Sequence, residues 1–381
     1  MFIFFSIFFL LYSAINYYIF IRGWQALAAV PVLKPFYMAV FLIAALSYFI
    51  SKIFSENLPS YLYDIFLWIG SFWFAYILYL FLAIIFIDLL RLINWQLDFF
   101  PLIIKNNYVQ TKLIALIVVF VISTVVIFLG YLNTRNIQIN TYNLEIKKGK
   151  SKLNNLNIVM ASDFHMTPLN NGKLLDQIVS KINALNPDIV LLPGDIVDDK
   201  ASILTHRNIG PAFYNIKSKF GVFASTGNHE FITGINTSAQ FITDHGMKLL
   251  RDSLVLIDNS FYIAARDDRS ITSFTGLKRK PLKEILLDAE NGYPVVLLDH
   301  TPLQLEEAEQ NNIDLQLSGH THHGQLFPLN LITSMIYEVS WGYLKKGKTQ
   351  YIVTSGAGTW GPPVRTGSNA EIVNLKIKFI D

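Results

Sequence analysis

Three histidines fall within four residues at His320, His322 and His323, in the stretch "LSGHTHHGQ" that follows the apolar run "IDLQL". Imidazoles so spaced fit a solvated polar turn, a buried hydrogen-bonded cluster or a metal site. Candidate partners recur elsewhere. "LNIVMASDFH" ends in Asp163, Phe164 and His165, "DIVLLPGD" ends at Asp195, "GVFASTGNHE" carries Asn228 and His229, and "YPVVLLDH" ends at His300. Six of the eight histidines lie in these five segments or directly after one, so the histidines are concentrated where the acids and the asparagine are. His206 and His245 lie outside the pattern and read as solvated or locally bonded residues. Carboxylates and imidazoles without thiolates suit borderline and hard divalent metals such as Mn, Fe or Zn. One shared carboxylate can hold two cations, and two metals ~3.5–4 Å apart can clamp a phosphate and activate a water between them.

Each of these groups follows a short apolar run that reads as a buried strand. Carboxyl ends of strands in α/β sheets are where ligands bind, because the loops there converge on one crevice. Glycines before Asp195, Asn228 and His320 permit turns that bring the polar groups close to the backbone. Between the first two strands, Leu174, Leu175, Ile178, Ile182 and Leu185 recur at helical spacing, and Pro187 follows the stop. Strands alternating with helices predict an α/β domain with layered αββα architecture, beginning near Asn133.

Composition breaks at about the same place. Residues 1–132 hold ten Asp, Glu, Lys or Arg, and the other 249 residues hold 49. Four apolar segments, Phe2–Ile21, Phe36–Phe54, Tyr61–Leu90 and Leu113–Leu132, are each long enough to cross a ~30 Å hydrocarbon core. The third is over-long, which predicts tilting or an interfacial turn. Tyr17, Tyr18, Trp24, Tyr61 and Trp95 stand near segment ends, as in interfacial belts. "ALA" at Ala26–Ala28 resembles a cleavage site, but no positive region precedes the first apolar run, so the reading is a retained helix. The chain lacks cysteine, which excludes disulfides and thiolate ligands. The globular part has 25 basic and 24 acidic residues, so no net field argues for nucleic acid.

Taken together, "SDFH", "GDIVD", "GNHE", "DH" and "GHTHHGQ" resemble the motifs of the calcineurin-like metallophosphoesterase family over roughly residues 155–375. The resemblance implies a four-layer αββα sandwich and a site for two divalent metal ions. It implies that Asp163, His165 and His322 hold the first metal, that Asp195 bridges, and that Asn228, His300 and His320 hold the second. It casts His229 as a general acid or transition-state stabiliser. "SGHTHHGQLFP" and "SGAGTWGPPVRTG" resemble membrane-associated bacterial members, which usually read glycine where His323 stands. His323 is therefore taken as a solvated turn residue, with a substrate contact as the alternative. Arg365 is open between a phosphate contact and a surface arginine. Asp267 and Asp268 are read as marking a turn.

The expectation is a multi-span membrane region at residues 1–132 and a phosphoesterase domain at 133–381, in which a metal-bridging hydroxide attacks phosphorus. A lipid-linked phosphate or pyrophosphate and a soluble phosphodiester are the rival substrates. Among lipid-linked candidates the resemblance implies a UDP-diacylglucosamine-type pyrophosphate, which relatives in that family cleave. Membrane lipids are expected contacts and nucleic acid is not. A sensor or scaffold that binds without turnover stays open as a second class. Arg22 and Lys34 in the first loop, with Arg91, Lys105 and Lys112 in the third, predict that those loops are cytoplasmic and the catalytic domain extracytoplasmic.

Overall fold

The computed structural model describes residues 2–169 and 172–381. The chain divides into two compact units, one of Met1–Tyr131 with Gly361–Val364 and the other of Leu132–Trp360 with Arg365–Asp381.

The first unit is helical: α1 (Phe2–Ala26), α2 (Lys34–Ile53), α3 (Ser60–Leu97), the short α4 (Leu102–Asn106) and α5 (Tyr108–Asn133). Among the described residues four helices are long and apolar enough to cross a membrane. Their outer faces carry exposed Leu10, Val40, Ile65, Ile114 and Phe128, as a lipid-facing surface requires. The helices approach one another through small residues. Gly70 on α3 meets α2 so closely that a Cβ there would lie 2.2 Å from the Tyr48 backbone nitrogen. Ser47, Ser51 and Ser71 are fully buried in the same unit. The third apolar segment is one unbroken helix of 38 residues, about 57 Å long at 1.5 Å per residue. It therefore outruns the hydrocarbon core without any interfacial turn inside it.

Among the described residues the second unit contains twelve strands: β1 (Gln138–Lys147), β2 (Asn155–Met160), β3 (Ile189–Pro193), β4 (Val222–Ser225), β5 (Lys248–Leu249), β6 (Ser253–Ile257), β7 (Phe261–Ala265), β8 (Val295–Leu298), β9 (Leu315–Ser318), β10 (Gly342–Lys346), β11 (Thr349–Val353) and β12 (Glu371–Ile380). They form two six-stranded sheets, ordered β1-β12-β2-β3-β4-β5 and β10-β11-β9-β8-β7-β6. Ile158, Met160, Leu191 and Phe223 of the first sheet meet Ile263, Leu298, Leu317 and Ile352 of the second in a shared core. The outer face of the first sheet, through Val159, Val190 and Leu192, is covered by α6 (Gly172–Ala184) with Ile178 and Ile182. Leu282, Leu305 and Ala308 cover Leu297 and Tyr351 on the outside of the second. This is the expected four-layer αββα sandwich.

Strands β3, β4, β8 and β9 are buried along their whole length, as expected for strands covered on both faces. Strands β2, β3 and β4 run parallel, as do β7, β8 and β9. Their carboxyl ends therefore fall at one end of each sheet, and all five sequence-predicted loops leave from those ends.

Candidate metal centre

The loops place their polar residues in an uncommon backbone conformation. Asp163, His165, Asp195, His320 and His322 have φ of 55°, 45°, 52°, 71° and 46°. Left-handed φ outside glycine is costly and persists where the surroundings over-determine it. Here the loops hold one another. The His165 amide donates to the Asp195 carbonyl at 3.1 Å, the His320 amide to Asp163 Oδ1 at 2.9 Å and the His229 amide to Asp195 Oδ1 at 2.9 Å. Two glycines make this approach possible. A Cβ on Gly319 would lie 2.1 Å from Asp163 Oδ2, and one on Gly227 would lie 2.2 Å from Asp195 Oδ1.

The side chains converge in three overlapping sets: Asp163, His165 and His322; His165, Asp195 and His229; and Asp195, His300 and His320. Within each set the candidate ligand atoms lie within 4.8 Å of one another. The Nε2 atoms of His165 and His322 face each other at 2.9 Å. Asp195 Oδ2 stands 3.6 Å from His165 Nε2 and 3.1 Å from His300 Nε2. Asn228 Oδ1 lies 2.9 Å from His320 Nδ1. All seven sequence-predicted ligands are thus brought together, and His229 joins them at the edge.

Charge favours a cation here. Burial opposes ionisation of Asp195, but His300, His229 and His165 hold its carboxyl well below the usual range. Burial, His165 and Arg365 push the His322 imidazole well below its ordinary value, and burial with His300 lowers His320. Burial opposes protonation of His300, but Asp195 in turn holds its imidazole well above its ordinary value, so a metal there would take the place of that proton. Buried carboxylate oxygens beside imidazole nitrogens form a donor set for a divalent cation. Asp163 Oδ2 is buried and finds no hydrogen-bond partner among the described residues, the condition of a carboxylate oxygen made for an ion. The His300 Nδ1 lies 2.7 Å from the Pro193 carbonyl, which orients the ring and leaves Nε2 toward Asp195.

Similarity to known proteins agrees with this geometry. Residues 156–324 match the sequence model of the calcineurin-like phosphoesterase family. The chain is 30% identical over 295 residues to an uncharacterized metallophosphoesterase of Campylobacter jejuni, spanning 74% of this chain and 76% of that one. The chain belongs to the calcineurin-like phosphoesterase family. Its chemistry is therefore metal-dependent phosphoester hydrolysis. A metallophosphoesterase of Aquifex aeolicus is 32% identical over 251 residues, 65% of this chain and 95% of its own. A bovine transmembrane protein with a metallophosphoesterase domain is 30% identical over 270 residues, 67% of this chain. This chain spans only 60% of the bovine relative's length. Relatives of this phosphoesterase thus include a vertebrate transmembrane protein as well as bacterial ones, and the four apolar helices make it membrane-associated.

Several residues of the phosphoesterase domain act in ways the sequence reading did not assign. Asp198 stands between two histidines, with Oδ1 2.5 Å from His229 Nδ1 and Oδ2 3.4 Å from His165 Nδ1. Glu230 is fully buried and accepts from four backbone amides, those of Asp195, Ile196, Val197 and Gly227. It thereby ties the Asp195 loop to the Asn228 loop. Its place three residues after Gly227, at the start of the helix Asn228–Ile232, is a capping-box pattern that could have pointed to it.

Other readings are corrected. Asp267 and Asp268 do more than mark a turn, for both are buried. Asp267 accepts from Thr226 and takes both arms of Arg251, while Asp268 accepts from Thr301, next to His300. Arg365 is neither a surface residue nor open to a phosphate. It is fully buried and donates to the carbonyls of Ser355, Gly356, Gly358 and Asn369 and to Ser368 Oγ, with Nη2 3.2 Å from His322 Nδ1. His323 lies outside all three sets. It is half-buried, with Nδ1 3.0 Å from Ser340 Oγ and its ring over Trp341. His245 bonds the Phe241 carbonyl within its own helix, and His206 is exposed.

Proposed function

We propose that the chain is a multi-pass membrane phosphohydrolase, with residues 1–132 as the spanning region and 133–381 as the catalytic domain, working with two divalent metals. The position of Asp195 carries the reading, since its carboxylate lies between the His165 and His300 sides of the cluster. In this reading Asp163, His165 and His322 would hold one ion, Asn228, His300 and His320 would hold the other, and Asp195 would be shared between them. Bound there, such ions supply charge neutralisation for a phosphate and acidify water.

The chain's own residues do the rest. His229 presents the ring nitrogen not engaged by Asp198 and gives its proton to the leaving oxygen. Asp198 holds that ring and favours its charged form. Burial opposes protonation of His229, but Asp198 and Asp195 outweigh it and raise the imidazole to about 9. Trp360, with its ring centroid 6.2 Å from that of His229, covers one side of the group and is itself exposed.

A lipid-linked phosphoester is the substrate class this reading favours. The helix Leu329–Ile336 follows the His322 loop and buries none of its residues. Leu331, Ile332, Met335 and Ile336, with Phe327 just before them, form an exposed apolar surface of the kind that marks an interaction site. The test is a panel of phosphomonoester, phosphodiester and detergent-dispersed lipid pyrophosphate, run on the purified full chain alongside metal analysis. Steady turnover that chelator abolishes and added metal restores supports the enzyme. Tight binding with no turnover on any substrate overturns it.

A further inference from the structure

Within the helical unit, residues of α1, α2, α3 and α5 line a cavity of about 410 Å³, in the size range of ligand sites. Its wall is apolar along Phe41, Ala44, Trp73, Leu80 and Ile84, and Arg22, Asp88, Arg91 and Lys112 also line it. Asp88 takes Arg22 at 2.5 Å, Arg91 at 2.8 Å and the Tyr18 hydroxyl at 2.5 Å. The lining thus holds three cations, Arg22, Arg91 and Lys112, and the single carboxylate Asp88, which pairs with the two arginines and leaves two positive charges in excess (three minus one). Arg22 Nε is buried and finds no hydrogen-bond partner among the described residues. Arg22 and Arg91 keep 32% and 40% of their side chains exposed, so the excess charge lies at the mouth of the cavity, where an anionic group entering from the headgroup region would meet it.

The charged end lies at one end of the bundle. Arg22 is near the last turn of α1, Tyr37 is in the first turn of α2 and Lys112 is in the second turn of α5. Helix ends of this kind lie at headgroup level, where basic pockets between spanning helices take anionic heads.

We propose that this cavity binds one anionic phospholipid, with its phosphate on Arg22, Arg91 and Lys112 and an acyl chain along the Phe41–Trp73–Leu80 wall. Guanidinium forks match phosphate oxygens in pairs. Free phosphate would leave the apolar wall empty, and a zwitterionic lipid would add no net charge against the cations.

The test uses the full chain, purified in detergent and returned to phosphatidylcholine vesicles doped with phosphatidylglycerol. Bound lipid is extracted and counted, and thermal unfolding is followed in parallel. One phosphatidylglycerol per chain should survive detergent exchange and raise the unfolding midpoint. Lys112→Gln leaves the Arg22–Asp88–Arg91 pairs in place and should weaken retention about tenfold or more. Ala44→Phe fills the cavity and should abolish retention while the midpoint in pure phosphatidylcholine stays near that of the unsubstituted protein. Inorganic phosphate alone should give no shift. Equal retention of both lipids, retention unchanged in both variants, or the full shift from phosphate alone would overturn the proposal.

Discussion

Asp198 Oδ1 lies 2.5 Å from His229 Nδ1, so the candidate acid of the site is held by a carboxylate that belongs to none of the metal-competent sets. That carboxylate sets the pH range in which His229 can give a proton. With the imidazole raised to about 9, it is charged throughout the neutral range and loses its proton as pH rises past that value. Asp198→Asn removes the charge, so the imidazole should fall toward its ordinary range. The alkaline limb of the rate should then move to lower pH by more than ~1 unit. A limb that does not move would show that another group titrates there.

His229→Ala should leave the metal content nearly intact and lower turnover ~10²–10⁴-fold, the scale of a positioned acid or base. Substrates with very acidic leaving groups need little protonation and should lose less. Equal loss across a leaving-group series would make the role of His229 electrostatic.

Asp195→Asn keeps the shape of the shared ligand and removes its charge. Metal content should drop and turnover should fall by several orders of magnitude. Elemental analysis beside a rate measurement decides it, and full metal content with a near-normal rate would remove Asp195 from the bridge.

Glu230→Ala strands four backbone amides in a buried place, each costing ~1–3 kcal/mol when unpaired. Unfolding of the purified chain should show a loss above ~3 kcal/mol, and Glu230→Gln a smaller one. An Ala variant as stable as the parent would mean that water or a moved loop satisfies those amides.

Met335→Ser and Leu331→Ser alter exposed side chains of the apolar helix, so the fold should tolerate them. Turnover of lipid substrate in mixed micelles should fall, while turnover of a soluble chromogenic diester should not. Parallel loss on both substrates would detach the helix from lipid recognition.

Protease added to spheroplasts should remove the catalytic domain while sparing a cytosolic marker. The basic residues of the first and third interhelical segments favour that orientation. Full protection until lysis would place the domain in the cytoplasm.

The candidate ligands were legible because each follows a strand whose carboxyl end is buried, where an acid, amide or imidazole ends a mostly apolar run. Asp163, Asp195 and His300 needed nothing further to be noticed. Asp198 and Glu230 were present in the same motifs, yet their roles depend on which loop lies opposite, and that is settled only by sheet order. Asp267 and Asp268 looked like turn residues because acids are common in turns, and their burial comes from Thr226 and Thr301 on other loops. Arg365 escaped both readings for a similar reason, since its carbonyl partners exist only once residues 355–369 have closed around it. In the helical region, apolar length located the four long helices but not the end of α3, because Arg91 to Leu97 continue the helix past the apolar run.

The place of β12 bears on how the first sheet can close. This strand follows the other described strands in the chain, yet it lies between β1 and β2, which precede the rest. Until it arrives, β1 has no neighbour in its sheet and β2 presents a bare edge, a template for the wrong partner. The Asp163 loop leaves from β2, so the strand behind that loop gains its second neighbour only when β12 is in place. Closing this sheet therefore waits on a pairing between segments far apart in the chain, the kind of contact that forms slowly.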